Sequence, residues 1–384
     1  MGAAELHQGL IDRLASKGLL DDPRRRAAFQ TVRREDFLPG VDLDRSYHDE
    51  AVTIQIGPGG TVTSSSSQPS VMAVMLAQLD PQPGDHVLEI GAGTGYNAAV
   101  LAHLVGPSGD VTTIDIDPAV TQIAQANLAR AGIGASETAA HVEVCTGDGW
   151  LGVAERAPFD RILVTAGVWD IAPAWTTQLA VDGTLVMPLW LRAGVHVAAA
   201  FIPVGDGRLR SRRVAGCDFV RLRGPHAGPA AVVEVQEGLL ASVDEVHAVH
   251  LELLSELLAT QPAQEPAPPL PKGMGWFARM ALDEPDAIQL FDPEQDRVRL
   301  GLFDPTTASP GLALVMEGRK QLGGFGDDAP MARLRDRLAH STLLDFHALS
   351  INAVPARIAA AQTLPDDTAW VLIRPAHHFW IGER

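Results

Sequence analysis

Between Asp85 and Arg192 short apolar runs with strand character alternate with helical stretches, and that alternation leaves few architectures open. The segments "HVLEIG" (86–91), "DVTTIDID" (110–117), "HVEVCTGD" (141–148), "FDRILVTAG" (159–167) and "GTLVMPLWL" (183–191) have the length and apolar content of buried strands. "YNAAVLAHLV" (96–105) and "PAVTQIAQANLARAG" (118–132) have the period of helices, the second stopped at Gly132. Strands and helices taking turns predict an α/β fold with a mostly parallel, doubly wound sheet. The Gly-Asp-Gly punctuation inside "VHVAAAFIPVGDGRLRSRRV" (195–214) predicts an antiparallel hairpin at the sheet edge.

With 384 residues the chain exceeds one typical domain. Helical spacing over Leu10–Phe37 opens residues 1–225, the expected catalytic domain. The helical "VDEVHAVHLELLSELLA" and the proline-dense "TQPAQEPAPPLPKG" then predict a helix and semi-rigid linker over 226–272. Residues 273–384, with "AIQLF", "RVRLGLF", "LALVM" and "WVLIR" as strands and "MARLRDRLAH" as a helix, are expected to form a smaller α+β domain.

The first strand runs into "IGAGTGYN", which puts Gly91, Gly93 and Gly95 where an open sheet receives ligands. The G-x-G-x-G spacing differs from the dinucleotide fingerprint, whose third glycine comes one residue later, and this argues against an NAD-dependent dehydrogenase. Glu89, just before the loop, suits a ligand bearing an ammonium and a sulfonium. S-adenosylmethionine is such a ligand. Asp115 ends the second strand, where a carboxylate accepts from ribose hydroxyls. Asp148 ends the third, where it would accept from an adenine amino group. Each acid alone reads as a solvated strand end; together, on successive strands, they favour the cofactor.

The motifs "IGAGTGY", "TGDGW", "APFDRILVTAG" and "DGTLVMPL", with "VRREDFLP" upstream and "DFVRLRG" downstream, resemble the protein-L-isoaspartate O-methyltransferase family over Leu10–Gly224. The resemblance implies a class I S-adenosylmethionine-dependent fold, with Gly149 and Thr165 added to the cofactor site. It also implies a substrate role for the serine run "TVTSSSSQP", which by composition alone would be a flexible spacer. Aligned on "SQP", the family's Thr-Ile-Ser falls on Ser65, Ser66 and Ser67, the expected catalytic residues, with Ser67 just ahead of a helix start at Pro69. Three departures cluster on the substrate side: the serines themselves, a longer approach through Gly57-Pro58-Gly59, and Arg221 where the family has proline. With the C-terminal extension, which the compact repair enzyme lacks, they resemble variants associated with ribosomal peptide natural products (lanthipeptides, graspetides, lasso peptides). In those, an aspartate of a constrained, possibly macrocyclic precursor peptide is methylated and the ester closes to an aspartimide (succinimide). The expected partner is therefore an aspartate-containing peptide or protein. Trp169 and Arg221 are candidate substrate contacts. Repair of isoaspartyl residues is the alternative, and a non-catalytic cofactor-binding scaffold is a third reading.

Composition bounds the rest. Thirty Lys and Arg against 47 Asp and Glu give a net charge of −17, which disfavours nucleic acid and anionic membranes as partners. Two cysteines form no disulfide framework, and "MGAAELHQGL" lacks a signal-peptide pattern, so a cytoplasmic location is expected. His247 with His250, and His377 with His378, have no evident third ligand, so no metal is expected.

Overall fold

In a computed structural model of the chain, the described residues are 2–57, 61–133, 137–229, 232–243, 249–273, 275–292, 295, 297–305, 309–316, 318, 320–340 and 342–383. Pro58, Gly59 and His247 lie outside them. The chain divides into two compact units: residues 1–189, 197–227 and 350–384 form the first, and 190–196 with 228–349 the second.

The first unit begins with α1 (Ala3–Ser16) and α2 (Pro23–Thr31) rather than one long helix. Gly18, at φ +71°, ends the first, and Asp22 caps the second by accepting from the amides of Arg24 and Arg25. After α3 (Leu43–Ser46), β1 (Val52–Ile56) and β2 (Val62–Ser66) form a separate antiparallel hairpin, followed by α4 (Pro69–Leu79). The serine run is thus an ordered strand, paired Val52 to Ser66 and Thr53 to Ser65.

Next come β3 (His86–Ile90), α5 (Tyr96–Val105), β4 (Asp110–Asp115), α6 (Pro118–Arg130), β5 (His141–Thr146), β6 (Phe159–Val164), α7 (Pro173–Gln178), β7 (Leu179–Arg192), β8 (Val195–Pro203) and β9 (Leu209–Gly216). Strands β7, β6, β3, β4 and β5 are parallel neighbours in that order, and β8–β9 is the antiparallel hairpin. A core of Leu76, Val87, Ala98, Leu101, Val111 and Leu163, all fully buried, joins α4 and α5 to the sheet.

In the second unit β10 (Val232–Gln236), β11 (Leu239–Ser242), α8 (Leu251–Leu258), β12 (Ala263–Pro266), α9 (Gly275–Asp283), β13 (Ala287–Asp292), β14 (Arg297–Asp304), β15 (Gly311–Val315), β16 (Gln321–Gly326) and α10 (Ala329–Ala339) build a seven-stranded sheet ordered β10-β11-β13-β14-β15-β16-β12. The expected linker over 226–272 is therefore largely structured. Its proline-dense part supplies β12, an edge strand paired with β16, where a missing amide proton is tolerated.

The expected 273–384 domain is also redrawn. Strands β17 (Leu349–Pro355), β18 (Thr368–Ile373) and β19 (His377–Glu383), with the short α11 (Ala356–Ala359), belong to the ten-stranded sheet of the first unit, ordered β18-β19-β17-β9-β8-β7-β6-β3-β4-β5. β17 pairs antiparallel with β9, Asn352 against Arg210, so the β8–β9 hairpin lies inside the sheet and β18 is its edge. Among the described residues no helix is long and apolar enough to cross a membrane.

Candidate active site

Parallel register brings β3, β4 and β6 to one level: Ile90 pairs with Ile114 and with Val164. The loops leaving them open a cleft lined by the serine strand, the glycine loop and Arg221–Arg223. Gly91 has φ +104°, and a Cβ there would stand 2.5 Å from Thr165 Oγ1. That hydroxyl donates to the carbonyls of Ile90 and Gly91, at 3.0 and 2.8 Å. Thr165 thus clasps the ends of β3 and β6 rather than presenting an unpaired hydroxyl. Gly93 has φ +50°, and a Cβ there would stand 3.3 Å from the Ser65 carbonyl, a tight contact that puts the serine strand directly over the glycine loop.

Glu89 is fully buried and lines the cleft. Its carboxyl accepts from Asn97 Nδ2 at 2.6 Å and Thr113 Oγ1 at 2.7 Å. Burial lifts it from its ordinary 4.5 to about 7, against the pull of those two bonds. Folded Glu89 therefore holds its proton more tightly than unfolded Glu89, and the fold loses stability as pH rises from about 4.5 to 7, with no further loss above. Glu89→Gln is expected to remove this dependence. The variant should gain ~2–3 kcal/mol over wild type between pH 4.5 and 8 in urea melts. Parallel stability–pH curves would contradict it.

Asp115 lies at the end of β4, its carboxyl raised by burial while the Asp117 amide and Arg223 pull it back down. Asp148 caps the turn after β5, its Oδ1 accepting from Trp150 N at 2.9 Å, and Gly149 lines the cleft. Trp150 stacks on His226 with ring centroids 4.9 Å apart. Gly95, at φ +82°, is the N-cap of α5, and a Cβ there would stand 3.1 Å from the Ala124 carbonyl of α6.

On the opposite wall Ser65 and Ser67 are half-exposed, while Ser66 is 3% exposed and its hydroxyl has no partner among the described residues. Strand alternation explains this: Ser66 takes the inward position. The backbone of Ser66 and Ser67 is held by Arg34, whose fully buried guanidinium donates to their carbonyls at 3.4 and 3.2 Å, and to those of Ser46, His48 and Glu50. Arg34 stands in "VRREDF", yet nothing local marks an arginine that satisfies five carbonyls from distant segments.

Of the two candidate substrate residues, only Arg221 lines the cleft. Its backbone bridges to Gly167, its Nη2 donates to Ala227 O at 2.7 Å, and burial lowers its guanidinium to about 10. Trp169 does not line it: the ring is 8% exposed, with Arg374 3.3 Å over its centroid. The adjacent Asp170 accepts from the amides of Ile171 and Ala376, and His377 stands 3.6 Å away. No local pattern marks residues after 350 as the clasp of this loop.

A glycine loop at the head of a parallel sheet, with acids on the next strand ends, defines a class I S-adenosylmethionine-dependent methyltransferase. A sequence profile of the protein-L-isoaspartate(D-aspartate) O-methyltransferase family matches residues 5–227. The chain belongs to that family, and S-adenosylmethionine is its methyl donor. It is similar to the protein-L-isoaspartate O-methyltransferase of Methanopyrus kandleri, 40% identical over 217 residues, 56% of this chain and 90% of that one. The corresponding enzyme 1 of Rhodopseudomonas palustris is 35% identical over 241 residues, 63% of this chain and 92% of that one. A solved structure named protein-L-isoaspartate O-methyltransferase shares the fold with TM-score 0.52 and 24% identity, covering 90% of this chain and 96% of its own. That likeness reaches well beyond residue 227, so a C-terminal extension does not in itself distinguish this chain from proteins of that name.

Proposed function

We propose that the protein is a carboxyl O-methyltransferase acting on isoaspartyl side chains of proteins or peptides. The observation that carries this reading is the meeting of two walls in one cleft: the glycine loop with Asp115 on one side, and Ser65 and Ser67 on the other. The cleft fits the cofactor, because a side chain on Gly91 or Gly93 would fill the space against Thr165 and Ser65. Gly91 and Gly93 would hold it with Glu89, Asp115, Gly149 and Thr165, which line the cleft, while Gly95 and Asp148 stand just outside its lining. When bound, S-adenosylmethionine supplies a sulfonium-borne methyl group, an electrophile for a carboxylate oxygen.

The substrate carboxylate has an ordinary pKa near 4, so it is ionised at neutral pH and the chain needs no general base. What the residues do is place it. Ser67, with Ser65, hydrogen-bonds the carboxylate without neutralising it, and Arg221 supplies local positive charge in a protein of net charge −17. Once the ester exists, the next backbone amide nitrogen attacks its carbonyl and methanol leaves, closing a succinimide.

The serine hydroxyls give a paired prediction. Ser67→Ala is expected to lower turnover at least about tenfold while leaving S-adenosylhomocysteine affinity unchanged, the pattern of a contact with the reacting group. Ser66→Ala should leave turnover intact and raise stability by ~1 kcal/mol, because it removes a buried hydroxyl that has no partner among the described residues. Equal turnover of Ser67→Ala and wild type would remove the serine from the mechanism.

A second reading, aspartimide formation at a normal aspartate in a constrained peptide, is favoured by Arg221 in the cleft and by three serines in place of Thr-Ile-Ser. Matched cyclic and linear aspartyl peptides, assayed beside isoaspartyl ones, separate the two readings. Faster methylation of a cyclic aspartyl peptide than of any isoaspartyl peptide would favour the second.

A further inference from the structure

We propose that Arg223 is a positioning residue for cofactor binding, holding the Asp115 carboxylate in the place and charge state that the cofactor hydroxyls require. The proposal rests on the reading that Asp115 accepts from those hydroxyls. Arg223 Nη2 stands 3.4 Å from Asp115 Oδ1, and Nη1 stands 3.2 Å from Asp117 Oδ2. One guanidinium therefore spans two carboxylates of the β4–α6 turn. Both carboxylates are otherwise tied down. The Asp117 amide donates to Asp115 Oδ1 at 3.1 Å, Asp117 Oδ1 caps α6 through Ala119 N, and Gln55 from β1 donates to Asp117 Oδ2 at 2.9 Å.

The guanidinium reaches this spot because its own backbone is fixed. Gly167 N donates to Val220 O and Leu222 N to Gly167 O, which lays residues 220–222 along the loop leaving β6. Arg223 is then carried over the end of β4.

The electrostatics explain why a cation is needed there. Asp115 is partly buried, with the Asp117 carboxylate two residues on acting on it as a like charge. Burial and like charge both favour the protonated form, which would turn an acceptor into a donor. Arg223 is the cation whose charge opposes them at Asp115 among the described residues, and it is 30% exposed, so its replacement does not hollow the core.

The test is calorimetric binding of S-adenosylhomocysteine to the full-length protein and to four variants: Arg223→Met, Arg223→Lys, Asp115→Asn and the Asp115→Asn/Arg223→Met pair. Arg223→Met should bind about five- to tenfold more weakly, Arg223→Lys should recover most of that loss, and the double variant should bind no more weakly than Asp115→Asn alone. Melting temperatures near wild type are expected for all four. Unchanged affinity of Arg223→Met, or an equal loss in the Asp115→Asn background, would overturn the proposal while leaving the cofactor site standing. Wild-type affinity in Asp115→Asn would overturn both.

Discussion

A chain ending at Gly224 is expected to lose the cooperative fold of its first unit. Such a chain keeps every motif shared with the family, yet it discards β17, β18 and β19 from the ten-stranded sheet. Ile351, Ala353, Phe379 and Ile381 are fully buried in these strands. Burial of large apolar side chains contributes ~1.5–3 kcal/mol each, and a domain holds only ~5–15 kcal/mol in total. Truncation also bares the edge of β9 and strips Asp170 of the Ala376 amide and Trp169 of Arg374. Circular dichroism melts should show a broad or absent transition, with aggregation. A truncated chain that melts cooperatively within about 5 °C of the full length would show that the added strands are dispensable. For the same reason, lost activity on truncation would say nothing about substrate recognition; that question needs 228–349 replaced with 350–384 retained.

Arg34→Ala carries the second large effect. The substitution leaves the carbonyls of Ser46, His48, Glu50, Ser66 and Ser67 without their donor, those of Ser46 and Ser66 in buried surroundings and the other three in part-buried ones. An unsatisfied buried acceptor costs ~1–3 kcal/mol, so even partial hydration leaves a loss of at least ~3 kcal/mol. Arg34→Lys should recover only part, since an ammonium has three donors at one point where the guanidinium spreads five. Turnover of the folded fraction should fall too, because the guanidinium fixes the backbone that carries Ser67. Urea unfolding reads the first effect and initial rates at saturating cofactor read the second. Stability within ~1 kcal/mol of wild type would mean that the carbonyls find other partners.

Arg34 and the three C-terminal strands mark the limit of what the sequence discloses. The parallel core was legible because each of its strands and helices carries its own pattern: "YNAAVLAHLV" is helix α5 residue for residue. The glycine loop was legible because positive φ demands glycine, as at Gly91 beside Thr165. Strand pairing over long separations leaves no local mark. "WVLIR" is recognisable as a strand, but nothing in it says that it joins the sheet of residues 86–216 rather than that of its neighbours. Trp169 illustrates the same gap: its place after "VTAG" suggested a cleft residue, and Arg374, more than two hundred residues on, covers it. Arg34 and Arg223 went unnoticed because an arginine's partners are set by the fold, not by its sequence neighbours.

A methyl-transfer assay with labelled S-adenosylmethionine and a peptide pair identical except for L-isoaspartate or L-aspartate at one position tests the isoaspartyl methyltransferase activity directly. One base-labile methyl ester is expected on the isoaspartyl peptide, assigned by mass spectrometry to its free α-carboxyl, followed by succinimide and methanol. Methyl transfer to neither peptide nor to any protein substrate, with S-adenosylmethionine bound intact, would contradict it.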